Sequence, residues 1–306
     1  MNFKNFLILL IVSVLWGSSF LFLRLLVVDG LEPLQIVSIR MFVAAIFIAP
    51  FFLNKLRKHS FYYHGFSFLL IGILNTALPF SLFSYASLQL GAGSLSILQA
   101  TVPIFTALIL FSLYRGEFSW TKLIGVLVGF FGLFILVGPS SSLDTFSGIL
   151  CIVASLSYAV SGIYLAKTPD DMNNSLIGMG SIIVGAIIML PFIFTGTSSI
   201  FEISSKSWLY LFILGVINTS LAYVVFIKLI KRIGPINASF VTYLVPLSSI
   251  SLGILFLNEI LSFVMVLGGF LILLGVFFAN TQKKGWNYAN CIVSVTDLWQ
   301  YRYLNV

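Results

Sequence analysis

Charge is scarce in this chain. Asp, Glu, Lys and Arg make up 8% of its 306 residues, whereas a soluble domain carries about a quarter. So few charges cannot cover a water-facing surface. Hydrophobic residues make up 59% instead, and the mean hydropathy is +1.10. The chain reads as an integral membrane protein whose main partner is the lipid bilayer. Acidic residues are scarcer still, nine in all, and none sits in the middle of a long apolar run. A proton-coupled exporter of hydrophobic cations would want such a buried carboxylate, so that class is disfavoured.

Other chemistry is missing too. There are two cysteines, Cys151 and Cys291, too far apart in the topology to pair, so no disulfide framework is expected. The two histidines, His59 and His64, have no cysteine or carboxylate cluster beside them, and no metal site or cofactor is expected. A membrane-embedded transferase would need a polar cluster of acids, histidines or ligands, so the chain is not read as an enzyme. The net charge of +7 reports orientation rather than binding to nucleic acid.

Long apolar runs are present. They lie at roughly 6–28, 33–53, 65–88, 92–114, 119–138, 146–166, 173–195, 207–229, 235–258 and 261–280. Each approaches the roughly 20 residues that cross the hydrocarbon as a helix, and all are too long for barrel strands. The first lacks a small-x-small cleavage site and reads as a retained helix. The expected fold is therefore all-α, with ten transmembrane helices. Lys55, Arg57, Lys58, Arg115, Lys122, Lys167, Lys228, Lys231, Arg232, Lys283 and Lys284 fall on one side of that topology. Asp29, Glu32, Asp144, Glu202 and Glu259 fall on the other, with Lys206. The basic side is cytoplasmic, which places both termini there.

One phrase occurs twice. GILNTAL at 72–78 returns as GVINTSL at 215–221. The offset of 143 also relates Phe83 to Phe226, Gly91 to Gly234, Pro103 to Pro246, Gly125 to Gly268 and Gly132 to Gly275. An offset of 142 relates Ser13, Trp16 and Ser19 to Ser155, Tyr158 and Ser161. The chain is two copies of a five-helix unit, at 1–140 and 141–282, followed by a tail at 283–306. Five is odd, so the copies should be inverted, a recurrent plan among secondary transporters.

Polar residues inside the runs mark candidate cavity positions. Pro103 and Pro246 fall near the middle of the fourth and ninth helices, where a proline kinks the chain and frees the carbonyls of Gln99 and Thr242. Trp16, Ser19, Asn75, Tyr158, Ser161, Asn218, Tyr223 and Tyr243 add polar and aromatic groups. For the Asn-Thr pairs, interhelical hydrogen bonding explains the residues slightly better than cavity lining does. Arg40 lies seven residues into the second helix, where burial costs roughly 2.5–3.5 kcal/mol on insertion scales. A freed carbonyl or a substrate carboxylate is its expected partner, since a guanidinium fork suits an anion. Arg24, Glu117 and Glu259 lie near helix ends and are secondary candidates. Gly125, Gly129, Gly132, Gly268, Gly269 and Gly275 suggest close packing of the fifth and tenth helices.

These features together resemble the ten-helix, EamA-type transporters of the drug/metabolite transporter superfamily. WGSSFLFLRLL, IRMF and LGAGSLSILQATVPIFTALILFSLYRGE carry the likeness in the first half. GVINTSLAYVVF, RIGPINASFVTYLVPLSSISLGILFLNE and LGGFLILLGVFF carry it in the second. The resemblance covers about 5–280. It implies a central cavity formed mainly by helices 1, 3, 4, 6, 8 and 9, basic residues at Arg24 and Arg40, and export or exchange of small metabolites. The aromatic-rich tail at 286–306 departs from the pattern. The expected function is a secondary transporter of a small amphipathic metabolite, an amino acid or other carboxylate, in a bacterial inner membrane. A passive channel and a lipid-modifying enzyme are the rival readings. A monomer suffices, and the oligomeric state stays open.

Overall fold

A computed structural model describes residues 2–56, 61–90, 92–113, 120–137, 144–167, 174–195, 200–257 and 263–280. Among these the chain is almost entirely helical, without strands. The first half contains α1 (Phe3–Val28), α2 (Pro33–Leu56), α3 (Phe61–Gly72), α4 (Leu78–Ala86), α5 (Ala92–Gln99), α6 (Val102–Leu113) and α7 (Trp120–Val137). The second contains α8 (Thr145–Lys167), α9 (Asn174–Met189), α10 (Ser205–Phe212), α11 (Ala222–Ile233), α12 (Pro235–Ser239), α13 (Val241–Leu257) and α14 (Phe263–Asn280). Among the described residues, six stretches are long and apolar enough to cross a membrane: Phe3–Val28, Pro33–Asn54, Gly65–Ala86, Thr145–Ala166, Leu176–Phe194 and Ser205–Ile233.

Local chemistry sets the element ends. The Asn2 side chain accepts the Asn5 N–H and opens α1, and Ser204 does the same for α10 through Ser207. Lys231 and Arg232 close α11, where cations meet the negative end of the helix dipole. Gly234 follows with φ of 83°, a turn that a side chain would strain, and Pro235 then opens α12.

The sequence suggests unbroken helices where the structure has interruptions. The twice-used phrase forms π-helical turns, Ile73–Ala77 joining α3 to α4 and Ile213–Leu221 joining α10 to α11. Their hydroxyls bond back along the chain. Thr76 donates to the Gly72 carbonyl, Thr219 to that of Leu214, and Ser220 to that of Gly215. The expected mid-helix kink at Pro103 is instead a break. α5 ends at Gln99, and Pro103 falls in the first turn of α6, where its missing N–H has no intrahelical partner to lose. Pro246 does lie inside α13, and a separate break falls at Phe240.

Glycines bring α7 and α14 together in the most extensive helix pair. Gly275 lies against the Gly125 carbonyl and the Gly129 backbone, and Gly132 lies against Leu271, Ile272 and Gly268. The two halves also trade equivalent contacts. Gly215 in the second π-turn seats the Arg40 carbonyl and Val43 of α2. Gly72, before the first π-turn, seats the Ser181 carbonyl and Val184 of α9. One offset of 141 relates Arg40 to Ser181 and Val43 to Val184.

Candidate functional site

The interrupted helices surround a cavity. Its wall includes Trp16, Ser19, Phe20 and Leu23 of α1, Ile36, Val37 and Arg40 of α2, and Asn75 of the first π-turn. Phe80, Phe83 and Ser84 of α4, Gln99 of α5, Val102 and Thr106 of α6, and Tyr158 and Gly162 of α8 continue it. Asn218 and Thr219 of the second π-turn, Tyr223, Phe226 and Ile230 of α11, and Pro235, Ser239 and Thr242 complete it.

Arg40 is the one formal charge among these residues, and only 8% of its surface is exposed. Its Nε donates to Thr219 Oγ1 at 2.7 Å, and its Cζ lies 4.1 Å from the centroid of the Phe80 ring. Thr219 passes the interaction on, donating to the Leu214 carbonyl at 2.7 Å. A hydroxyl and a ring face therefore hold the guanidinium, in place of the expected freed carbonyl. Both contacts favour a cation without neutralising it. Phe80 was not singled out from the sequence, and Thr219 was weighed there only as a member of the Asn-Thr pairs. Their signal would have been the offset, which sets Phe80 opposite Tyr223 and Thr76 opposite Thr219.

Repeat symmetry shapes the rest of the wall. Trp16 meets Phe226 edge-on, with centroids 4.6 Å apart, and the counterpart pair Tyr158 and Phe83 stacks at 6.2 Å. Asn218 Nδ2 donates to Ser18 Oγ at 3.2 Å and Ser19 Oγ at 3.0 Å. Ser18 spends its proton on the Leu15 carbonyl, so its oxygen must accept from Asn218, and this fixes the amide orientation. Asn218 Oδ1 and Gln99 Oε1 are then buried with no donor among the described residues. The Tyr223 hydroxyl is also buried, near Ser181 and Asn75 but bonded to neither.

Nine sequence candidates share this wall: Trp16, Ser19, Arg40, Asn75, Gln99, Tyr158, Asn218, Tyr223 and Thr242. Four do not. Tyr243 turns outward, donating to the Val126 carbonyl at 2.7 Å and packing against Gly129. Ser161 is buried behind the wall, and Pro103 and Pro246 shape α6 and α13 without lining the space. Arg24 is exposed and donates to the Ser87 carbonyl at the end of α4, at 3.1 Å. Glu117, Glu259 and the tail lie outside the described residues.

Comparison with known proteins gives this geometry a lineage. The EamA-like transporter family model matches residues 4–138 and again 145–281. The uncharacterized transporter YoaV of Bacillus subtilis strain 168 is similar, with 25% identity over 287 residues, 89% of this chain and 96% of that one. An uncharacterized transporter of Archaeoglobus fulgidus is 25% identical over 294 residues, covering 92% and 99%. The uncharacterized inner membrane transporter YedA of Escherichia coli K12 is 23% identical over 244 residues, 78% of each chain. A solved crystal structure shares the fold, with a TM-score of 0.71 and 14% identity, over 92% of this chain and 98% of that one. The chain belongs to the EamA-like transporter family and is an integral membrane transporter.

Proposed function

We propose that this transporter is a secondary carrier that exports or exchanges a small amphipathic metabolite with a carboxylate, amino acids included, by alternating access through the cavity. The observation that carries the reading is Arg40. It is a buried cation in the cavity wall, and its charged neighbours among the described residues include no carboxylate. Isolated buried charge is costly, and a cargo anion offsets it. Aromatic residues around it, Trp16, Phe83, Tyr158 and Phe226, suit an apolar tail.

The carrier works as two inverted five-helix halves, residues 1–140 and 141–282, making ten crossings. Both termini and the tail at 283–306 are cytoplasmic, and the membrane is a bacterial inner membrane. The traded contacts of α2 and α9 with the π-turns support such a pair of halves, because each half then forms part of the other's hinge region. Metabolite profiling of medium from deletion and overexpression strains identifies the cargo. Proteoliposomes then test the mechanism. A carrier saturates and shows counterflow, and flux that does neither makes the protein a channel.

A further inference from the structure

We infer that Gly162 opens an apolar subsite in the cavity wall, which takes one bulky hydrocarbon group of the cargo, and that this glycine sets its size limit. The inference rests on passage of the cargo through the cavity and is independent of the charge that the cargo carries.

The two halves differ at one pair of wall positions. The offset of 142 that relates Trp16 to Tyr158 also relates Phe20 to Gly162, and all four line the cavity. Each half thus builds this stretch of wall from two residues four apart on a single helix face. In α1 both carry rings. In α8 the second carries only hydrogen.

Phe20 is packed where it stands. Its ring meets Phe83 edge-on at 6.1 Å and lies in an apolar cluster with Leu95, Cys151, Ala154 and Val245. The repeat pairs Phe83 with Phe226, so a ring at position 162 would meet Phe226 in the same way. Phe226 keeps the cross-half contact, Trp16 at 4.6 Å, but the counterpart of the Phe20 contact has no side chain to make it.

The missing ring leaves space. A Cβ built on Gly162 meets nothing within 4 Å among the described residues. Gly129, Gly132 and Gly275 differ, because there a neighbour occupies the place of the side chain. The open direction leads into the cavity rather than into lipid. The lipid-facing stripe of α8 is Ile149, Val153, Leu156 and Val160, all exposed, whereas Gly162 follows Tyr158 by four residues on the other face. Protein interiors hold few voids, and an apolar one that persists is a ready place for hydrocarbon. A branched aliphatic group is no larger than the benzyl group that fills the matching place at Phe20.

Four compounds test the subsite: propanoate, 4-methylpentanoate and the two corresponding amides. Within each pair the tails differ by one isopropyl group. The purified full chain in lipid nanodiscs is titrated with each, reading thermal stabilisation. The branched member of each pair is expected to half-saturate at a concentration at least about tenfold lower than the short one. Gly162→Leu fills the recess and should bring the two tails level. Gly162→Ala adds a methyl that meets no described atom, so it keeps the test open if the leucine variant fails to fold, and it should cut the branched advantage about threefold. Equal binding of short and branched tails in the wild type overturns the subsite and leaves the carboxylate reading standing if the acids bind more tightly than the amides. A branched advantage that survives both substitutions also overturns it, by placing the tail elsewhere or in lipid. A Gly162-dependent advantage shared equally by acids and amides keeps the subsite and removes the carboxylate reading. No response to any of the four removes both.

Discussion

Arg40 Nε and Thr219 Oγ1 meet at 2.7 Å across 179 residues of sequence. The bond ties α2 of the first half to the second π-turn, beside the point where Gly215 seats the Arg40 backbone carbonyl. Ser220 adds a third tie, donating to the Ala44 carbonyl at 3.0 Å. The Arg40 guanidinium is thereby placed next to an irregular helix turn, and π-turns are frequent at functional sites.

Arg40 and its support should separate in mutants. Arg40→Gln is expected to nearly abolish transport at unchanged membrane abundance, and Arg40→Lys to weaken it strongly, because an ammonium lacks the planar fork. Thr219→Val removes a hydrogen bond to a charged group, worth about 1.5–3 kcal/mol, and should raise KM while Thr219→Ser stays near wild type. Arg24→Gln should be milder, since Arg24 is exposed and reaches a helix-end carbonyl. Flux in vesicles with matched protein amounts measures all five. Normal flux per molecule in Arg40→Gln, with a lowered melting temperature, would assign Arg40 to structure alone.

The two prolines should no longer behave alike. Pro246→Ala restores an N–H inside α13 and straightens a wall helix, so it should slow transport and shift cysteine accessibility towards one side of the membrane. Pro103→Ala changes only a first-turn position of α6 and should act more weakly. A larger effect at Pro103 would contradict the break between α5 and α6.

Close helix packing predicts a steric contrast. A Cβ at Gly275 would lie 2.5 Å from the Gly125 carbonyl oxygen and the Gly129 nitrogen, and backbone cannot move aside cheaply. Gly275→Ala should lower stability by about 1–3 kcal/mol. Gly148→Ala meets nothing within 4 Å and should be neutral or slightly stabilising. Thermal unfolding in detergent compares them.

Asp144 offers a pH test outside the membrane. Its carboxylate accepts the Ser147 N–H at 2.9 Å at the start of α8. Hydrogen bonding from the Ser147 side chain, then its backbone, holds the Asp144 pKa below the ordinary value. A depressed pKa means the cap is fully present above the unfolded value and is lost as pH falls through the folded one. Protection against hydrogen exchange in the first turn of α8, taken relative to the intrinsic rate at each pH, should therefore fall below about pH 4. Asp144→Asn caps without titrating, so its exchange should lose that acid-dependent step.

Topology is tested by reporter fusions after Lys58 and after Lys284. Both should report cytoplasm, following the basic bias of alternate loops. An external signal at either position would end the inverted-repeat account.

The amino-acid sequence by itself determined the class of this protein. Scarce charge and long apolar runs leave no alternative to helices in a bilayer, because backbone groups in hydrocarbon must bond within their own segment. The repeated Asn-Thr phrase and its offset likewise identified two related halves, since a shared spacing needs no coordinates to be seen. The sequence also placed Arg40, Asn75, Gln99, Asn218 and Tyr223 as polar groups at depth. Tertiary structure alone decided which of them meet. Tyr243 is as aromatic and as deep as Tyr223, yet its hydroxyl found the Val126 carbonyl because Gly129 left room for its ring. Thr219 became the partner of Arg40 because a π-turn changes the register of the residues after it, a change that periodicity at 3.6 residues per turn does not encode. Which side chain fills a given space depends on two helices at once, and one helix's sequence holds only half of that information.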